Sequence, residues 1–215
     1  PGHGGWDNGA VGKRGVKEKD VTLAVALKLF QILEQNSNAR VYLTRQDDFY
    51  VPLRERTLIA NRHRADLFVS LHCNAMETAT RGGTEIYYCS EKASDKMAAQ
   101  VAERENAVAL KEEEQAIEKG FVDVEGILFS LERKLYWEES GNISKQVIDR
   151  MVPRLGTKNR GVKSANFAVL RTAKMPAILV EIAFVSNLEE ERKLNSEAFQ
   201  KKAAEAIYYA LKPMI

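Results

Sequence analysis

The chain has 215 residues, 45% of them apolar and 29% charged, which suits one globular domain with room for an insertion. Its 32 basic and 30 acidic side chains leave a net charge of +2, so no electrostatic footprint for nucleic acid is present. No run nears the roughly 18 apolar residues of a transmembrane helix, and Cys73 and Cys89 form neither a disulfide framework nor a CxxC pair, reading instead as buried thiols.

The sequence opens inside a glycine-rich turn, Pro1-Gly2-His3-Gly4-Gly5, and is read as a fragment whose upstream residues carry any export signal. Asp20 is placed to cap a helix over about 21–34, where Val21, Val25, Leu29 and Ile32 recur at helical spacing. Residues 39–43 alternate and are β-rich in type, predicting a strand. A basic helix is expected over 53–64, then a short apolar strand over 67–71 with His72 at its carboxyl end. Residues 84–89 read as a further strand.

From about 91 to 155 the character changes to long charged helices, with breaks expected at Lys119-Gly120 and Ser140-Gly141-Asn142. Strand signals return at 167–170 and 177–180, and a last helix spans about 197–211. Short strands alternating with helices predict an α/β layer fold: a mostly parallel twisted sheet flanked by helices, with a helical insertion. The whole of 1–215 is read as one catalytic domain carrying that insert.

Two of the three histidines, His3 and His72, lie in polar turns that present a ring. With Glu18 nearby and Glu181 ending the apolar run Ala177-Ile178-Leu179-Val180, they make up the parts of a catalytic zinc site with a general base. Each has an innocent explanation when taken alone: a hydrogen-bonded loop histidine, or a solvated glutamate among lysines. Glu181 is hardest to dismiss, because an acid ending a buried strand lies where open α/β sheets gather ligands. His63, between two arginines, reads as solvated. In the insert, Glu105 shares a helix face with Met97, Val101 and Val108. A carboxylate there requires a partner, either a base from a neighbouring helix or a metal.

Five segments in order carry a resemblance: Pro1-Gly2-His3-Gly4-Gly5; Gly15-x-x-Glu18-Lys19; Ser70-Leu71-His72-x-Asn74; Asn159-Arg160-Gly161-Val162-Lys163; and Leu179 to Asn187. Together they resemble the zinc N-acetylmuramoyl-L-alanine amidases, which cut the peptide stem from the glycan of bacterial cell wall. The resemblance implies Zn2+ held by His3, Glu18 and His72, with Glu181 as catalytic acid/base. A strand is expected before Pro1. Ala102-Glu103-Arg104-Glu105-Asn106-Ala107 further resembles the inserted helix of cell-separation amidases. By that likeness Glu105 joins the metal only in an inhibited state. The apolar helix Val122–Trp137, with Val124, Leu128, Leu131 and Leu135 in one stripe and Phe129 and Tyr136 in another, either packs into the insert or receives an activating protein.

The expected activity is hydrolysis of the lactyl–L-alanine amide of peptidoglycan, in the periplasm or cell envelope, during daughter-cell separation. Asn74, two residues past His72, is a candidate either for supporting the metal ligands or for positioning the substrate. Two rivals share the residues: a zinc peptidase acting on the stem peptide, and a non-catalytic wall-binding or regulatory module.

Overall fold

The computed structural model describes residues 1–76, 78, 80–118 and 129–215. Four strands form one sheet in the order β1-β4-β2-β3: β1 Phe68–Asn74, β2 Thr84–Cys89, β3 Asn159–Ala165 and β4 Ala177–Phe184. β1 pairs parallel with β4 and β2 with β3, while β2 runs antiparallel to β4. Two of the three pairings are parallel, so the sheet is mostly parallel as expected, with the single reversal at its centre.

All eight residues of β4 are buried, and alternation sends their side chains to opposite faces. Ile178, Val180 and Ile182 join Leu71, Cys73 and Ile86 on one face, under α1 (Glu18–Asn36), α4 (Phe129–Leu155) and α7 (Glu197–Leu211). Ala177 and Leu179 join Phe68, Tyr87 and Cys89 on the other, under α2 (Leu53–Arg62), α3 (Lys96–Glu118) and α5 (Ala168–Arg171). A short α6, Leu188–Leu194, is capped by Asn187, whose side chain accepts from Glu189 N and Glu190 N.

Several expectations need correction. Helix α1 starts at Glu18 rather than after Asp20, and no side chain caps it. Residues 39–43 form no strand, although Val41 and Leu43 turn inward while Arg40 and Tyr42 face out. The alternation is real, but a cleft of about 910 Å³ separates this segment from the open edge of β1, so no ladder forms. The apolar run at 167–170 becomes the single helical turn α5, because four apolar residues carry no period of their own. The strand on that side is β3, built from the Asn159-Arg160-Gly161 segment.

The break expected at Ser140-Gly141-Asn142 is also absent: α4 passes through it unbroken. Gly141 lets the helix lie close on β2, since a Cβ there would meet the Tyr88 ring at 3.2 Å. Ser140 Oγ donates to Tyr136 O and accepts from Ala177 N at 2.8 Å, tying the helix to the start of β4. The expected break at Lys119-Gly120 lies outside the described residues, as do Val124 and Leu128 of the apolar stripe. Leu135 is 66% exposed.

The opening turn is held from beneath by two buried arginines. Arg45 Nη2 donates to Gly2 O at 2.7 Å and Lys19 O at 2.9 Å, joining the turn to α1. Arg56 donates to Pro1 O, and to His3 O at 2.8 Å and Val51 O at 2.9 Å. Gly2 N donates to Leu71 O at 2.9 Å, which fixes the turn beside His72. Replacing Arg45 by Met would keep the apolar stem and remove the charged donor from the Gly2 and Lys19 carbonyls, leaving the single hydroxyl of Thr22 to serve both. Arg45→Met is expected to lower unfolding free energy by about 2–4 kcal/mol in urea titration, against ~0.5 kcal/mol or less for the exposed Arg40→Met.

Candidate metal centre

His3, Glu18, His72 and Glu105 each offer one donor atom, and these atoms lie within 4.8 Å of one another. They come from the opening turn, the first residue of α1, β1 and α3. His72 does not follow its strand as expected but lies inside it, because β1 runs on to Asn74. Alternation puts it on the face opposite Leu71 and Cys73, toward α3. His3 adopts φ 56°, a left-handed backbone rare for a non-glycine residue, within the run Gly4 and Gly5 continue. Gly9 must lack a side chain, since a Cβ would come within 2.6 Å of His3 Cδ2 and 2.7 Å of Glu18 Oε2.

A second set of contacts aims each ligand. Asp7 Oδ2 lies 2.8 Å from His3 Nδ1, which turns Nε2 inward. Ser70 Oγ lies 3.1 Å from His72 Nε2, leaving Nδ1 to face the others. Glu18 is gripped by backbone: Oε2 accepts from Ala10 N and Oε1 from Cys73 N, both at 2.8 Å. His72 Nδ1 lies 3.1 Å from Glu18 Oε1 and 3.0 Å from Glu105 Oε2; His3 Nε2 lies 3.2 Å and 3.4 Å from the same two oxygens.

These donors crowd together without bonding well. His3 Nε2 and Glu105 Oε2 are buried and find no hydrogen bond of acceptable geometry. Burial opposes charge on His3, yet Glu18, Asp7 and Glu105 raise its pKa well above the ordinary imidazole value. Burial likewise opposes ionised Glu18, but His3 outweighs it and draws that carboxyl down to about 2. Glu105 is also held well below the usual carboxylate range, by His72 and His3 against its own desolvation. Two imidazole nitrogens and two ionised carboxylates facing one point, two of those atoms orphaned, fit a divalent cation of the zinc class.

Glu181 stands one strand away. It lies within β4, not at its end, where it pairs in register with His72 and Glu85. Neither of its oxygens has a hydrogen-bond partner, and it is fully buried. Desolvation first, then the charges of Glu105 and Glu18, push its pKa well above the carboxylate range, with Arg104 opposing. A carboxyl shifted in this direction gains proton affinity, which suits a general acid/base. His63, read as solvated, is exposed and stacks on Tyr42 at 3.8 Å. Cys73 and Cys89 are free, buried thiols.

Reasoning from sequence missed three neighbours. Glu85 is completely buried and accepts from Asn74 Nδ2 (2.9 Å), Tyr87 OH (2.6 Å), Arg160 Nε (2.8 Å) and Lys163 Nζ (3.2 Å). Its signal was available: an acid two residues before Tyr87 on an apolar strand shares that residue's face. Arg104 donates to Ala75 O, lies 3.1 Å from both Asn74 Oδ1 and Glu105 Oε1, and 3.9 Å from Glu181 Oε1. Asp7 was hidden in the opening turn, where only its bond to His3 distinguishes it.

Residues 1–213 match the family described as N-acetylmuramoyl-L-alanine amidase. The chain is 38% identical to N-acetylmuramoyl-L-alanine amidase AmiC of Escherichia coli O6:H1, over 99% of this chain and 51% of that protein. It is 36% identical to AmiA of Escherichia coli K12, over 96% of this chain and 71% of that one. The chain thus spans from about half to seven tenths of the length of these two relatives. Among solved structures, the CwlD amidase of Clostridioides difficile in complex with the GerS lipoprotein superposes with a TM-score of 0.72 at 26% identity. That match covers 99% of this chain and 93% of that one.

If the cluster binds a cation, zinc present at 100-fold over its dissociation constant should add about 2.7 kcal/mol of stability. The rise in melting temperature should reverse with chelator and be lost in His3→Ala and His72→Ala. An equal rise in both variants would place the ion elsewhere.

Proposed function

Because this chain belongs to the N-acetylmuramoyl-L-alanine amidase family, we propose that it hydrolyses the amide joining the lactyl group of N-acetylmuramic acid to L-alanine in peptidoglycan. The observation that carries this reading is the convergence of four donor atoms on one point beside the buried carboxyl of Glu181. The same set supports His3, Glu18 and His72 as resident zinc ligands and Glu181 as the catalytic acid/base.

Bound at that site, zinc supplies Lewis acidity toward the scissile carbonyl and lowers the pKa of water to about 7. The remaining work belongs to the chain. Asp7 and Ser70 fix the two rings, and the backbone amides of Ala10 and Cys73 hold Glu18, so the ligand set needs no reorganisation on binding. Glu181, as carboxylate, takes a proton from the attacking water. As acid it returns that proton to the departing nitrogen of L-alanine, and the products are a free lactyl carboxylate and a free amine. Its desolvated setting raises its proton affinity above that of an exposed glutamate, the direction this double role needs.

The closed arrangement is self-inhibited in this reading. Glu105 Oε2 faces the same point as the three resident ligands, where it competes for the position substrate needs. Arg104 anchors the insert by reaching Ala75 and Asn74 at the end of β1. Release requires a partner that binds the open insert better than the closed one. The exposed Leu135 at the outer part of α4 and the apolar run from Val122 mark the candidate docking helix for that protein. The solved complex of a family member with a lipoprotein supports partner binding as a property open to this fold. Peptidoglycan as substrate implies action in the cell envelope, in daughter-cell separation and wall remodelling. No helix of the described residues is long and apolar enough to cross a membrane.

Glu181→Ala should reduce release of lactyl-ended glycan by roughly a thousandfold or more while leaving about one zinc per chain, measured by product analysis and metal assay together. Loss of metal would move Glu181 into the ligand set, and free amino acids as products would favour a stem peptidase. Glu105→Ala should raise the basal rate on purified wall, whereas Leu135→Glu should leave it unchanged and weaken stimulation by the cognate partner. A lower basal rate in Glu105→Ala overturns autoinhibition.

A further inference from the structure

Asn74 is oriented by a constraint that leaves no choice. Glu85 is an acceptor only, and its Oε2 lies 2.9 Å from Asn74 Nδ2. The amide must therefore show its NH2 to Glu85 and its carbonyl oxygen to the site. Glu85 is itself immobilised by Tyr87, Arg160 and Lys163, so turning the Asn74 amide would set two acceptors against each other.

The oxygen so presented is occupied by the insert. Arg104 Nη2 lies 3.1 Å from Asn74 Oδ1 and 3.9 Å from Glu181 Oε1. A donor nitrogen thus rests between a fixed acceptor and the group that must protonate a nitrogen during hydrolysis. The substrate contains one nitrogen with that requirement: that of the scissile amide, which carries a single N–H and leaves as an amine. We propose that Asn74 Oδ1 accepts the N–H of the scissile amide, that Glu85 is the positioning residue that fixes this acceptor, and that Arg104 Nη2 fills the same donor place when the insert is closed. This rests on the amidase reading given above. It adds to that reading that the insert blocks two places, the metal's through Glu105 and the leaving nitrogen's through Arg104.

The experiment compares a muramoyl-peptide with its ester analogue, in which oxygen replaces the scissile N–H. Both are assayed for kcat/KM with the zinc-loaded full chain and with Asn74→Ala. The ratio of amide to ester rates cancels differences in folded fraction and in how often the insert opens. Asn74→Ala is expected to lower that ratio by roughly tenfold or more. Glu85→Gln, which lets the amide turn, should lower it by about threefold or more, and serves as the deciding variant should Asn74→Ala fail to fold. A ratio unchanged in the variants that fold overturns the assignment of Asn74 while leaving the amidase reading intact. A chain opened by Glu105→Ala that binds zinc yet cleaves neither compound overturns both.

Discussion

Three carboxyl groups and two imidazoles are buried within one small volume between the sheet and α3, and this concentration of charge is the constraint that organises the molecule. Glu18, Glu105 and Glu181 cannot all ionise there without a compensating cation. Burial and the neighbouring carboxylates raise the proton affinity of Glu181, and Glu18, Asp7 and Glu105 raise that of His3, both of which ease the crowding. The geometry of the unbonded atoms calls for a metal to meet the rest. In the proposed reading stability and function are then coupled, since a centre poorly balanced without a cation gains by taking one up.

The sheet turns this into a directed array. Register runs from His72 on β1 to Glu181 on β4 to Glu85 on β2, and Glu85 is bonded to Arg160 on β3. Period-two alternation sends all of these toward α3, while their neighbours Leu71, Val180 and Ile86 fill the opposite core. A rigid row of this kind holds His72, Glu181 and Glu85 at fixed spacing, which loops achieve less well. The opening turn contributes His3 from outside the sheet and is accordingly the part most heavily braced, by Arg45, Arg56 and a backbone bond to Leu71.

Much of this was legible in the sequence, and the pattern of what was not is physical. His3 and His72 stood out because turns rich in glycine and polar residues expose a ring, and Glu181 because an acid contradicts an apolar run. Glu105 stood out because a charge sat on an apolar helix stripe. Glu85 and Arg104 were passed over since each looks ordinary among its chain neighbours, and their meaning comes from partners far away in sequence. Arg45 bonds to a residue 43 positions distant. The same holds for structure: the alternation at 39–43 set which side chains turn inward, but pairing depends on what lies alongside, and only a cleft does. The run at 167–170 was too short for its period to decide between strand and helix.

The unbroken course of α4 has a mechanical consequence. Its 27 residues amount to a rod about 40 Å long. One half, with Val147, Ile148 and Met151, is sunk in the core, and Ser140 clips it to the first residue of the strand carrying Glu181. The other half leaves Leu135 uncovered while Trp137 rests against the second core, so this limb is a beam without a joint at mid-span. A load on the free end is carried to the root as torque instead of being absorbed by bending. If the insert is displaced as proposed, the give must lie outside this rod.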